Sequence, residues 1–155
     1  IAREMNLPLI ASVQNCYNLI NRGLEFGMTE ILYREKIGFL AYSPLAFGHL
    51  TGKYLKNADA KGRVTFFKGF AQRYDKPNVF PAVRAYEALA LKHDMTLTEM
   101  ALAFVYHQWF VTSTIIGATS LDQLKENIEA YNKNLSQDLL DDIERVHLTH
   151  MNPAP

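Results

Sequence analysis

The amino-acid sequence predicts an α/β fold built on a parallel sheet, and three observations carry that reading. Three short apolar runs, at residues 9–14, 38–43 and 113–117, have the length of strands. Stretches with helical spacing separate them, and such alternation joins strands in parallel through crossovers. The chain has 155 residues, 48% of them hydrophobic, which suits one domain with a real core and is too apolar for disorder.

The elements follow in order. Ile1 to Met5 reads as the last turn of an amphipathic helix, with Asn6 as its C-cap and Pro8 as a stop. A chain that opens this way, without an initiator Met, reads as one entered midway through a fold. Leu9 to Gln14 is the first strand, ending at polar Gln14 and Asn15. Gly27 to Lys36 is a helix with Met28, Ile31, Leu32 and Lys36 near one face, and Gly38 ends it. Phe39, Leu40 and Ala41 are apolar without alternation, the pattern of a strand covered on both faces. Pro44 stops its pairing. Residues 46–76 form a long connection.

Val79 to His93 is a helix with Val83, Tyr86, Ala90 and Leu91 inward. Thr96-Leu97-Thr98-Glu99 is a capping box that opens a mostly buried helix running to about Trp109. Ser113 to Gly117 is the third strand. Thr119 or Ser120 caps a helix from Leu121 to Tyr131, with Leu121, Leu124, Ile128 and Tyr131 as its buried stripe. Ser136 caps a last helix with Leu139, Leu140, Ile143 and Val146 inward, and residues 152–155 are a tail.

Candidate chemistry gathers where the strands stop. Tyr42 and Ser43 place a ring and a hydroxyl at the end of a buried parallel strand, where ligands bind in α/β proteins. An ordinary turn there is the plain alternative. Gly48 and Gly52 allow a sharp turn or close approach to a ligand. Gln14 carries donor and acceptor for a ligand amide, or caps neighbouring backbone. The 46–76 connection holds Lys53, Lys56, Lys61, Arg63, Lys68, Arg73 and Lys76 against only Asp59 and Asp75. It is a solvated loop or a flap over an anion such as phosphate. The glycine and hydroxyl-capped helix start at 117–120 offer free N–H groups to an anion, or simple capping. Gln123, Glu126 and Asn127 share one helical face.

Sixteen basic and sixteen acidic residues cancel, which argues against broad binding to nucleic acid or anionic membrane. No apolar run is long enough to span a bilayer, and no signal peptide opens the chain. The single cysteine, Cys16, precludes an internal disulfide, fits a reducing, cytoplasmic compartment and reads as a small buried residue. His93, His107, His147 and His150 have no second ligand at helical spacing, so no metal site is expected, and His49 has no visible partner.

Three segments carry a resemblance: Ser12-Val13-Gln14-Asn15-Cys16-Tyr17-Asn18-Leu19; Ala41-Tyr42-Ser43-Pro44-Leu45 with Gly48 and Leu50-Thr51-Gly52-Lys53-Tyr54; and Ile115 to Ile128. In order and spacing they resemble the C-terminal half of an aldo-keto reductase, in the branch of Tas-like proteins and potassium-channel β subunits. The likeness covers nearly the whole chain. It implies the last three βα units of a (β/α)8 TIM barrel, a single partial domain over 1–155, with 46–76 lying over an NADPH (NADP+) cofactor.

By that resemblance Gln14 holds the nicotinamide carboxamide and Tyr42 stacks on its ring. Ser43, Pro44, Leu45 and Gly48 line the pyrophosphate, with Lys53 adding charge. Arg63, Thr119 and Gln123 meet the 2′-phosphate beside Gly117, and Glu126 and Asn127 meet the adenine. Other branches carry a Lys near Gly117-Ala118 and an Arg at Gln123, so phosphate preference would rest on Lys53, Arg63 and the helix start. The family's catalytic Tyr, Lys, Asp and His belong to the first half of the barrel, outside this chain. The implied activity is reduction of a small-molecule carbonyl to an alcohol, with this chain supplying the cofactor half and inactive alone. Its partner would be the missing half or a homo-oligomer. A non-catalytic NADPH-binding regulatory subunit and a truncated or engineered half-barrel are the alternatives.

Overall fold

Strands β1 (Ser12–Cys16), β2 (Gly38–Tyr42) and β3 (Ser113–Ile115) form one parallel sheet in the order β1-β2-β3. The computed structural model describes residues 1–155 except Arg3, Ala58, Lys68, Phe70 and Ala71. Arg3 of the expected opening helix turn and Lys68 of the basic connection therefore lie outside the described residues. Around the sheet run α1 (Met28–Glu35), α2 (Lys53–Lys56), α3 (Arg63–Phe66), α4 (Val79–Lys92), α5 (Leu97–Tyr106), α6 (Leu121–Glu129) and α7 (Gln137–Thr149).

Met5 N–H donates to the Ile1 carbonyl and Leu7 N–H to the Ala2 carbonyl, around a left-handed Asn6. β1 lies further along the chain than its composition suggests. Leu9 and Ile10 are exposed, and pairing starts at Ser12 opposite Gly38. A strand extends as far as it has a partner, and β2 offers none before Gly38. Gln14 and Asn15 consequently lie within the strand rather than beyond it.

The expectation that β2 is covered on both faces fails. Phe39 and Ala41 are fully buried, whereas Gly38, Leu40 and Tyr42 are only half-buried. Side chains alternate along a strand, and the register aligns Cys16, Tyr42 and Ile115 on one face with Gln14, Leu40 and Ser113. That face stays largely open. The other packs Phe39 and Ala41 into a core with Tyr17, Phe104 and Phe110; the Tyr17 ring stacks on Phe104 at 5.9 Å and meets Phe110 edge-on at 5.1 Å.

Helix burial departs from periodicity in places. Val83, Tyr86 and Ala90 of α4 are buried, but Leu91 is exposed, as is Ile31 of α1. Trp109, expected inside, is 67% exposed, and Phe110 takes the inward position. The α6 stripe is reversed: Leu121 is 84% and Tyr131 62% exposed, with Ile128 and Leu124 also outward. Asn127 and Ala130 are the residues that face in. Of the stripe, Tyr131 meets the rings of Tyr106 and His107 at 6.1 and 5.5 Å, while Leu121 and Ile128 stay mostly exposed. Residues 46–76 are not structureless: they hold α2, α3, a kinked 3-10 stretch at Ala46–Thr51 and a single helical turn at Gln72–Tyr74.

Capping was legible in sequence. Thr96 Oγ1 accepts the Glu99 N–H at 3.0 Å, and a Glu99 carboxylate oxygen accepts the Thr96 N–H at 2.8 Å. Ser120 and Ser136 cap α6 and α7 through one bond each, their hydroxyls accepting the Gln123 and Leu139 N–H. Thr96→Ala should cost about 1 kcal/mol, read as a fall of a few degrees in thermal midpoint; an unchanged midpoint would remove the box from the stability of α5.

Candidate functional site

The chain turns abruptly after β2. Ser43 (φ 56°), Ala46 (φ 49°) and Phe47 (φ 53°) are left-handed without being glycines, and Gly48 (φ 93°) and Gly52 (φ 73°) join them. Such backbone is costly, and clusters of it mark ligand clamps and switches. A Cβ on Gly48 would come within 2.8 Å of Lys53 Cε, so the end of the lysine lies across the turn, and the positive φ of Gly48 favours glycine there. Pro44 is buried at the start of this turn, and Leu45 packs partly on the core.

Three cations surround the turn. Lys53 Nζ sits 4.8 Å from the Tyr54 ring centroid and 3.4 Å from the Lys61 carbonyl. The Arg63 guanidinium lies 5.7 Å from the Phe47 ring centroid. Arg73 lies against Cys16, Tyr74 and Tyr42; burial pulls its pKa down, but those neighbours outweigh this and leave it above the ordinary arginine value. Among the described residues no carboxylate pairs with any of the three, and unneutralised cations around a strained turn fit an anionic ligand.

Tyr42 stands half-buried on the open face, paired with Cys16 on one side and Ile115 on the other. Gln14, exposed on the same face, lies one pair further into the sheet opposite Leu40. Gly117 and Thr119 follow β3, at the same end of the sheet as Tyr42, since Tyr42 pairs with Ile115. Thr119 donates from its N–H and its hydroxyl to Gln123 Oε1, at 2.9 and 3.0 Å. Asn127 is buried and donates to the Gly117 carbonyl at 3.2 Å. Glu126 accepts from the Thr96 hydroxyl at 3.3 Å. Gln123, Glu126 and Asn127 thus already hold internal hydrogen bonds that a ligand would have to share or displace.

Two residues of this region carry no local mark in the sequence. Arg73 was one of seven bases with nothing to single it out, and Asn18 was only part of a motif. Asn18 is fully buried and donates to the Ser43 carbonyl at 2.9 Å. No helix among the described residues is long and apolar enough to cross a membrane, and none of their His, Cys, Asp and Glu side chains gather in threes fit to hold a metal ion.

The Aldo/keto reductase family profile matches residues 2–147. Protein tas of Escherichia coli is 47% identical over 156 aligned residues, covering 100% of this chain and 45% of the relative. The L-glyceraldehyde 3-phosphate reductase of Escherichia coli is 31% identical over 137 residues, 85% of this chain and 39% of the relative. A probable voltage-gated potassium channel subunit beta of Arabidopsis thaliana is 33% identical over 136 residues, 84% of this chain and 42% of the relative. The chain therefore spans less than half the length of these curated relatives.

Proposed function

The chain belongs to the aldo/keto reductase family, and on that premise we propose that it is the dinucleotide-binding part of an NADP(H)-dependent carbonyl reductase. The observation that carries this reading is the grouping, at one end of the sheet, of Tyr42, the strained turn 43–48 and the cations Lys53, Arg63 and Arg73, which have no carboxylate partner among the described residues. Relatives named as reductases support the reaction class.

The residues present fit the cofactor. Tyr42 offers a ring face for a flat nicotinamide, and Gln14 a carboxamide that both donates and accepts. The turn 43–48 lets its backbone approach a pyrophosphate, with Lys53 crossing beside it. Arg63 and the capped start of α6 at Thr119 and Gln123 would receive the 2′-phosphate, with Gly117, Glu126 and Asn127 around the adenosine end. When bound, the cofactor supplies the hydride that turns a carbonyl into an alcohol. This chain's task is to orient the ring and exclude water around it. The proton donor would come from a part of the protein beyond these residues, and the open sheet face would be closed by the remaining strands of a (β/α)8 barrel. By itself the chain would be inactive. The buried free thiol of Cys16 supports a reducing, cytoplasmic setting.

The test is a fluorescence titration of the full-length protein with NADPH and NADH. Tyr42→Ala should weaken NADPH roughly tenfold through lost stacking, and Gln123→Ala should weaken NADPH more than NADH. Failure of the wild-type protein to bind either dinucleotide would overturn the reading; unchanged affinity in both variants would overturn the site. The channel-subunit relative raises a second reading, a dinucleotide-binding regulatory subunit. Binding without carbonyl turnover would favour it.

A further inference from the structure

Helix α6 buries little of itself. Within Leu121–Glu129 Asn127 is the one buried residue, and Leu121, Leu124 and Ile128 lie outward. Most helices are held by an apolar face. One with so little apolar contact depends on its polar bonds instead, and each of them carries more of its placement.

Those bonds reach α6 from two sides. The Tyr106 hydroxyl, on the last residue of α5, donates to the Asn127 carbonyl at 2.9 Å. That carbonyl lies in the last turn of α6, where backbone acceptors run short of helical partners. Tyr106 is half-buried, and burial pushes its pKa up to about 12, so the hydroxyl keeps the proton it donates. On the other side Asn127 Nδ2 donates to the Gly117 carbonyl at 3.2 Å, in the loop between β3 and α6. Asn127 is 2% exposed, so water cannot readily replace either bond. α5 is mostly buried and makes a firm anchor. A line of hydrogen bonds thus runs from α5 through Asn127 to Gly117, two residues before the Thr119 that donates twice to Gln123.

We propose that Tyr106 and Asn127 are positioning residues for dinucleotide selectivity: acting through the Gly117 carbonyl, they hold the Thr119–Gln123 start of α6 where it receives a 2′-phosphate. The inference rests on the dinucleotide reading above, but the tether itself needs no ligand. Without the Tyr106 hydroxyl the Asn127 carbonyl is left buried and unmatched. α6 then moves outward to hydrate it and carries Gly117 and Thr119 along. A direct contact of Asn127 with adenine would serve NADPH and NADH alike, since both carry that base. Positioning of the phosphate end serves NADPH alone.

The test uses the full-length protein and two variants. Tyr106→Phe keeps the ring that meets Tyr131 and removes only the hydroxyl. Asn127→Leu keeps the backbone carbonyl and the approximate shape of the side chain, and removes the bond to Gly117. NADPH and NADH are titrated by fluorescence, and amide hydrogen exchange across 117–129 is followed by mass spectrometry without ligand. Loss of one neutral hydrogen bond corresponds to roughly a fivefold change. Each variant should therefore weaken NADPH by about that factor, leave NADH at its wild-type affinity and quicken exchange across 117–129. Tyr86→Phe is the matched control. It deletes a buried hydroxyl that has no hydrogen-bond partner among the described residues, and it should change neither selectivity nor that exchange. Equal weakening of both dinucleotides overturns the positioning role, as does unchanged NADPH affinity in Tyr106→Phe or the same loss in the control. Wild-type protein that binds neither dinucleotide would overturn the dinucleotide reading instead. Exchange still decides the tether in that case: faster in Tyr106→Phe upholds it, and unchanged removes it.

Discussion

Replacing Arg22 by methionine is expected to cost about 3 kcal/mol of stability, the low end for breaking a buried ion pair. Its guanidinium is almost wholly enclosed and makes a fork with Glu25, Nε to Oε1 at 2.7 Å and Nη2 to Oε2 at 2.8 Å. Nη1 reaches Glu144 of α7 at 2.8 Å, and the charge lies 5.3 Å from the Phe104 ring centroid. The Tyr17 hydroxyl donates to the same Glu25 carboxylate, and the Arg22 N–H donates to Asn152 of the tail at 2.7 Å. One side chain thus joins the loop after β1 to the last helix beside the tail. Methionine would leave Glu25 partly enclosed with its charge unmatched. Glu144 is about half exposed, which places the cost at the low end of the range. Pairing Arg22→Met with Glu25→Gln should recover part of the loss, since the stranded charge goes too. Urea unfolding reads both; equal stabilities for wild type and Arg22→Met would refute the argument.

Acidification from pH 6.5 to 4 should remove about 3 kcal/mol through His49 alone. The ring is 7% exposed, set between Tyr54, Tyr74 and Phe80 at 5.0, 5.3 and 5.8 Å. Its Nδ1 has no hydrogen-bond partner among the described residues. Burial first, and Lys53 second, push its pKa down to about 4, with Asp75 opposing. The folded protein therefore holds His49 neutral while the unfolded chain protonates it below pH 6.5. Stability is complete above that value and is lost as pH falls towards 4. His147 acts in the same sense: burial and then Arg22 lower its pKa, against Glu144 and Glu25. Glu99 and Asp142, both held below the ordinary carboxylate range, act only at lower pH. His49→Phe keeps a ring in the slot and should flatten the profile between pH 6.5 and 4. A variant with the wild-type slope would show that His49 does not govern that limb.

How far the sequence reveals this molecule depends on the range of the forces involved. The Thr96–Glu99 box, the helices and the end of β2 were legible because each is settled within a few residues. β1 was misplaced because its start depends on where Gly38 begins to pair, not on its own composition. The α6 stripe was read correctly as a stripe, but periodicity cannot say which surface covers it, and Asn127 lies inside instead. The candidate site divides the same way. Tyr42 and the glycines announce themselves at a strand end. Arg73 and the Asn18–Tyr74 contact join residues more than fifty positions apart, and nothing local in the sequence marks them.

The sheet has two unlike borders. β1 and β3 each pair with β2 alone among the described residues, so each leaves one side of its backbone unbonded. The two borders run in the same direction but differ in side chains, so the β3 border of one molecule could add to the β1 border of the next. That head-to-tail addition has no built-in end and gives rings or filaments rather than a closed pair. Whatever normally lies along those borders would therefore do more than stabilise the protein: it would keep each molecule a discrete particle.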